Sequence, residues 1–518
     1  MTLNDVGATI AVESNRLAVS GVLTGPGTLT KSGFGTLALA SANSYAGGTK
    51  NFAGILELNS AAAITNSAVT NRNATLRIAT GSTATLTNIL DFNETCTVDL
   101  NNTAGDTHLT GAWSGGGTVN IINQQNASRT FTVGGNGAGG GNLLNFFGTI
   151  AMGTNIGFLR FNDGGGNPNL GTTNVTIDLG TGSASFLVRN GGVTVDLGAV
   201  TGGPGTRLTG RGSGSSGTVT YSVGGKNLST TFAGTITNGN NSTAITKVGS
   251  GTWTLSGTNS YSGVTVVSNG VLALSGSGSL IVTPSITVVS NAYLDTSART
   301  DGALTLNSGQ TLNGDGAVLG GVIASSGSII DPGPAPGVVS MFTITNSLQL
   351  QSGSTLNMDL DYYQFLGSST NDLIAGLASV TYGGTLNLNI DSIETNSVFK
   401  LFSANSYTGA FDAINPPLPP FTGLAWDTSF LTLDGTLRLT KLRPRISNVA
   451  ISGTDFVINA INGPPGGNVT VLTSTNVASP LNTWTTLVTT QFDGGGNLTI
   501  GDPINTGSTQ RFYVLQLQ

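Results

Sequence analysis

The sequence predicts an all-β chain, wound for most of its length as a parallel β-solenoid and closed by a small C-terminal β-sandwich. Three observations predict it. One segment recurs at a fixed offset, that segment alternates apolar with polar residues, and small polar residues stand where charge is usual. Residues 30–58 (TKSGFGTLALASANSYAGGTKNFAGILEL) align without a gap to residues 246–274 (TKVGSGTWTLSGTNSYSGVTVVSNGVLAL) at an offset of 216, with 14 of 29 positions identical. The shared residues include Lys31/Lys247, Gly33/Gly249, Gly35/Gly251, Tyr45/Tyr261, Gly54/Gly270 and Leu56/Leu272. A shorter echo follows at Ser403 to Gly409. Repetition of this kind marks a repeat architecture.

Within the repeat, Thr36 to Leu39 and Gly54 to Leu58 alternate with period two and are bounded by Gly, Asn or Ser. They read as short strands joined by tight turns. The chain has 77 Gly among 518 residues, with 19 Lys and Arg and 25 Asp and Glu, where about a quarter charged is usual. Stacked strands with Thr, Ser and Asn outside and Leu, Ile, Val and Ala inside suit that composition, because each rung pairs its backbone with the rungs above and below. With about 22 residues per rung and about 4.8 Å between rungs, some 440 residues make a rod of roughly 95 Å. Asn71-Arg72-Asn73 and Asn101-Asn102 are expected to stack as amide ladders, and Gly134 to Gly141 and Asp163 to Gly166 to form loops or corners. A propeller, the competing architecture, wants four antiparallel strands in each blade.

The formal net charge is −6 and the cations are scattered along the sequence, so nucleic acid is not an expected partner. Cys96 is the single cysteine, which rules out an intrachain disulfide and reads as a small buried residue. Neither a signal-peptide pattern nor an apolar run long enough to cross a bilayer as a helix is present, so no transmembrane segment is expected.

The lysine followed by Gly-x-Gly-Thr, the alternating strand, then Asn-Ser-Tyr-x-Gly and Gly-x-Leu-x-Leu make segments 25–59 and 242–276 resemble the autotransporter-associated β-strand repeat of bacterial surface proteins. Residues 313–440 resemble the stretch that ends such helices, through Asp331-Pro332-Gly333-Pro334-Ala335-Pro336-Gly337, Asn371-Asp372-Leu373, Gly384-Thr385-Leu386, Gly423 to Asp427 and Asp434-Gly435-Thr436-Leu437. The resemblance implies a right-handed parallel β-helix on the bacterial cell exterior. It implies little about activity, because such passengers include adhesins, enzymes and inert stalks. Residues 60–240 carry no repeat motif and are read as solenoid from periodicity and composition.

The stretch that follows Arg443-Pro444-Arg445, from Ile446 to Gln518, is too short for a membrane barrel, which takes eight strands or more. It reads as a small β-sandwich with strands at Ile446–Ile451, Phe456–Ile461, Val469–Ser474, Trp484–Thr490, Asn497–Ile500 and Arg511–Leu517. The expected domains are a solenoid at 1–442 and the sandwich at 443–518. Capping the solenoid or mediating attachment are the jobs expected of the second.

Solenoids also serve as platforms for polysaccharide-cleaving enzymes, which need two carboxylates at a set separation. The best pair is Asp359 and Asp361, two apart on a strand and so on one face; a solvated strand face is the simpler reading. Asp91, Glu94, Asp99 and Asp106 show no common register. His108 is the single histidine and lacks a nucleophile elbow; Gly212 to Gly217 reads as a loop. One His and one Cys cannot build a zinc site, and Gly314-Asp315-Gly316 and Gly494-Gly495-Gly496-Asn497 only faintly resemble calcium-binding repeats. Tyr45, Tyr261 and Tyr407 share a repeat position and are expected to pack at a corner rather than bind sugar. Sequons at Asn73, Asn174 and Asn241 are expected by chance.

No catalytic, cofactor-binding or metal residue is therefore assigned, no cofactor is expected, and the chain is not expected to be an enzyme. The expected function is a non-catalytic extracellular rod, secreted or on the bacterial surface, that self-associates head to tail into filaments through its solenoid ends. Ala8 to Leu23, which lacks a polar cap, is the expected joining end. The alternatives are a monomeric adhesin or glycan-binding stalk recognising a surface glycan or the cell envelope, and a polysaccharide-active enzyme at Asp359 and Asp361.

Overall fold

Parallel pairing at steps of roughly one rung runs from the first residues to Asn415, as the internal repetition requires. The computed structural model describes the chain apart from residues 65–67, 102–103, 126–127, 135–142, 162–168, 212–215, 364–367, 392, 394–396, 417–418, 420–423, 442, 505–506 and 518; the side chains of 169–170, 211, 362–363 and 368–369 also lie outside the description. Most of the expected glycine loops at 134–141 and 163–166, together with Asn102, Gly212 to Ser215, Gly423 and the domain boundary at Leu442, fall outside the described residues.

Each rung visits three faces. Near the start the first face holds Ala8–Ala11, Leu29–Ser32, Thr49–Asn51 and Val69–Asn71 in register. The second holds Arg16–Val19, Thr36–Leu39, Ile55–Leu58 and Thr75–Ile78. The third becomes a regular sheet from Ala84–Leu86 through Thr107–Leu109, Arg129–Val133, Ile156–Phe161, Ser185–Val188 and Arg207–Arg211 to Thr235–Thr237. The described residues of 60–240, which carry no repeat motif, are thus rungs of the same coil.

Two long strands, Asn169–Asp178 and Val193–Thr201, bend around the corner between the first two faces. Their later halves extend the second face, with Thr149 to Ala151 paired to Thr176 to Asp178 and these to Ala199 to Thr201. Their earlier halves lead to Val219–Val223 and then Thr243–Lys247 on the first face. Because of this handover, the two repeat copies occupy the same faces: Leu29–Ser32 and Thr243–Lys247 on the first, Thr36–Leu39 and Thr252–Leu255 on the second.

Like side chains stack inside. Leu37, Leu56, Leu76, Val98 and Ile121 follow one another in register with no exposure. Each such side chain contributes about 1.5–3 kcal/mol by leaving water. A single hydrophobic cluster runs from Leu3 to Leu437.

Rung length varies, and this corrects the expected rod length. Leu312 pairs with Ile330 across a short rung, whereas the rung that carries Val119 to its partner Ile150 is more than half as long again. The longer excursions use chain without adding rise. The coil makes about 16 turns, which at about 4.8 Å each is roughly 75 Å.

The coil's two ends differ. At the far end an antiparallel sheet of Val398–Lys400, Thr436–Lys441 and Leu424–Asp427 brings Phe399, Leu431 and Leu437 into the solenoid core. Beyond it lie two three-stranded antiparallel sheets. Arg445–Ser452, Asp455–Ile461 and Leu498–Pro503 form one, and Thr485–Gln491, Asn468–Ser474 and Phe512–Leu517 the other. Ala460, Val469, Val471, Phe492 and Leu498 make a core of their own between them. All six strands expected in this region are present, with small shifts at their boundaries.

Candidate functional site

The repeat's lysine is an inward-facing residue. In Leu29–Ser32 the buried positions alternate, and in Thr243–Lys247 the half-buried Thr246 separates buried Ile245 from buried Lys247, which puts Lys31 on the side of Leu29 and Lys247 on the side of Ile245. Both are buried, at 0% and 1% exposure. The Lys31 ammonium donates to the carbonyls of Ser32, Gly33 and Ala53 at 2.9, 2.6 and 2.8 Å. Lys247 donates to those of Val248, Gly249 and Asn269 at 2.7, 2.8 and 3.2 Å. The third carbonyl in each set belongs to the next rung, so the lysine staples the corner of one rung to the next. Burial pushes the Lys247 ammonium down to about 8; burial also lowers Lys31, opposed by Glu13.

The rest of the motif builds the same corner. Gly33 and Gly249 have φ of +74° and +69°, and a Cβ there would lie 2.4 Å from the Val12 oxygen or 2.0 Å from the Gly224 oxygen. Asn43 accepts from the Leu23 amide and donates to the Ala63 carbonyl, at 2.8 and 2.6 Å. Asn259 accepts from Ile236 and donates to Gly257 and Ser279. Tyr45 and Tyr261 are buried, each 2.6 Å from a threonine hydroxyl, Thr49 and Thr265. Tyr407 differs. It is half-buried, and its hydroxyl accepts from the Ala404 amide at 3.0 Å. The expected amide ladder is present at Asn71, whose Oδ1 accepts from Asn51 at 2.7 Å.

Asp359 and Asp361 are not brought together as a working pair. Asp359 joins Asp372 and Asp331 instead. Its carboxylate accepts from the Gly337 amide and the Asn389 side chain, both at 2.7 Å. Asp372 accepts from the amides of Ser340 and Asp359 at 2.7 and 2.8 Å. Burial, with Asp359 and Asp331 adding repulsion, pushes the Asp372 carboxyl up to about 7. Burial also raises Asp331. Asp372 is 1% exposed, and both carboxylates tie the Gly333 to Ser340 excursion to later rungs. Asp361 lies beyond, paired with Thr370 where the strand turns back on itself.

The other acidic candidates go separate ways. Asp91 accepts from Ser114, Glu94 from Asn73, and fully buried Asp99 from Arg77 at 2.9 Å. Arg77 also faces Glu57 at 3.5 Å, and Glu57 holds Arg16 at 2.7 Å. This outward ladder on the second face was hidden because its members lie a rung apart in sequence. Cys96 is buried, donates to the Asn71 carbonyl, and is raised by burial. Asn174 donates its amide to Thr172, and Asn241 its side chain to Gly217. Gly314 bridges to Gly333, and Asp493 accepts from Gly495 and Asn497. Among the described residues no group of three His, Cys, Asp or Glu is placed to hold a metal ion.

The third face brings together several of the cations that look scattered in sequence. Arg129, Arg160 and Arg207 lie in its strands, Arg189 directly follows Ser185–Val188, and His108 pairs with Thr132, which pairs with Arg160. Burial lowers His108, and Arg160 and Arg189 lower it further against the pull of Asp106.

The segments that build this corner match a family model. Residues 29–50 and 245–274 match the passenger-associated-transport-repeat. This chain carries a passenger-like β-solenoid. No curated protein matches it. The matched segments contain Lys31, Tyr45, Lys247 and Tyr261, so the repeat's signature is spent on corners and stacking. Period two in Leu29-Thr30-Lys31 is the signal that could have placed the lysine inside.

Proposed function

We propose that this solenoid is a non-catalytic structural rod of the bacterial exterior that associates end to end. The passenger repeat supports a secreted or surface location. One observation carries the association: among the described residues two faces of the first rung are uncovered. Leu17 sits in the register of Leu37, yet Leu17 is 44% exposed and Leu37 is fully buried. Ala8–Ala11 and Arg16–Val19 pair on one side only among the described residues. An apolar strand edge of this kind accepts another strand.

The far end offers a partial counterpart. Leu401 and Phe402 donate to Gly435, which covers the second face. The last strands of the third and first faces, Tyr407–Gly409 and Ala413–Asn415, pair on one side only among the described residues. Head-to-tail stacking would use these two edges. The non-catalytic reading is supported by Asp359 and Asp372, whose carboxylates are engaged by backbone amides. Negative-stain imaging over a concentration series tests the association. Regular fibres are expected from the native chain and isolated rods from Leu17→Lys; rods alone from the native chain would sink the reading.

A further inference from the structure

We propose that the third face, between Thr107–Leu109 and Arg207–Arg211, binds a linear acidic glycan. The seven strands of this sheet contain no aspartate or glutamate, although the chain carries 25 acids against 19 Lys and Arg. The second face makes the contrast. There Arg16 and Arg77 meet Glu57 and Asp99 at 2.7 and 2.9 Å. On the third face the one ion pair among the described residues is Arg160 with Asp106, at 3.6 Å from a neighbouring corner.

Donors are left over. The Nε atoms of Arg129 and Arg160 and the Thr132 hydroxyl are buried without a hydrogen-bond partner, and an unmet buried donor is costly unless something fills it. Phe158 lies two residues from Arg160 on the same side of its strand and is 45% exposed. Its neighbours in register are Thr130 and Ser185, and Ser185 leads to Arg207. An exposed ring beside guanidinium forks suits a sugar, whose C–H face packs on the ring while a carboxylate takes two N–H donors.

The cations are spread over the face. Arg129, Arg160, Arg189 and Arg207 come from four successive rungs and stand at different positions along their strands, Arg160 in register with Leu187 and Arg207 with Ser185. A linear chain with a carboxylate on each sugar can reach cations spread in this way. Nucleic acid fits less well. This sheet exposes one aromatic, Phe158, where single strands need a series of stacking rings. The patch lies away from the open first rung, so a chain that stays monomeric leaves this assignment standing.

The test uses the intact chain in affinity electrophoresis through gels containing alginate, neutral dextran or single-stranded DNA. Retardation by alginate alone is expected, and it should vanish in high salt. The exposed arginines carry the decisive substitutions. Arg189→Ala and Arg207→Ala should each weaken alginate binding by roughly tenfold, while Arg16→Ala on the second face leaves it unchanged. Absence of retardation, equal retardation by dextran or DNA, or unaltered binding in both variants would overturn the assignment.

Discussion

The two copies of the repeat lie on the same faces and use the same atoms, yet they stand in different parts of the stack. The copy at 30–58 rests on the first rung, which has no rung beneath it among the described residues. The copy at 246–274 lies in mid-coil, with paired strands on both sides. The polar column differs as well: Lys31 is followed in register by Asn51 and Asn71, whereas Lys247 is followed by Val267 and Val288. A solenoid's stability is approximately a sum over rungs and their interfaces. The same residue therefore contributes more where both interfaces exist.

The glycine should separate the copies most. Gly249→Ala must hold φ near +69° and drive a Cβ to 2.0 Å from a backbone oxygen of the rung before it. A loss of roughly 3 kcal/mol or more is expected in chemical denaturation. Gly33→Ala meets Val12 of the free first rung at 2.4 Å, which can yield, so roughly 1–2 kcal/mol is expected there. Equal losses would mean that the end rung is as rigid as the middle.

The lysines come next, and their signature lies in pH. Lys247 has its pKa lowered to about 8 by burial, while an unfolded lysine titrates near 10.5. Between those values the unfolded chain holds a proton that the folded chain has shed. Stability therefore rises with pH across that window, and the gain is lost as pH falls through about 8. Lys247→Met should flatten this slope. At neutral pH it should cost about 1–2 kcal/mol, because three carbonyls lose their donor while a buried charge is removed. Lys31, whose lowering Glu13 opposes, should give a shallower slope.

What could be read from sequence follows from this contrast. Period two, glycine-bounded strands and the constant offset between the two copies identified the coil, because backbone stacking imposes them on every rung. The sandwich strands were equally legible from their turns. Contacts between rungs were not. Asp372 reaches back to Asp359 across a strand and its return, and Arg16, Glu57, Arg77 and Asp99 meet only because rungs of unequal length bring them level. Rung length is set by excursions such as Gly333 to Ser340, and no local pattern states it. The arginines of the third face were hidden for the same reason: Arg129, Arg160 and Arg189 each stand a whole rung from the next in the chain.

The tyrosines should give the smallest effect and reverse the order of the copies. Thr265, the partner of Tyr261, lies 3.1 Å from the Thr283 hydroxyl, which donates to Gly263. In Tyr261→Phe this network can keep Thr265 satisfied, and a loss of about 0.5 kcal/mol is expected. Thr49 is buried at 1% exposure, and Tyr45 is the one hydroxyl partner it has among the described hydrogen bonds. Tyr45→Phe should therefore cost more, about 1.5 kcal/mol, although its copy sits nearer the open end. Paired thermal melts would decide it. If Tyr261→Phe proved the costlier, position in the stack would outweigh local hydrogen bonding even for one hydroxyl.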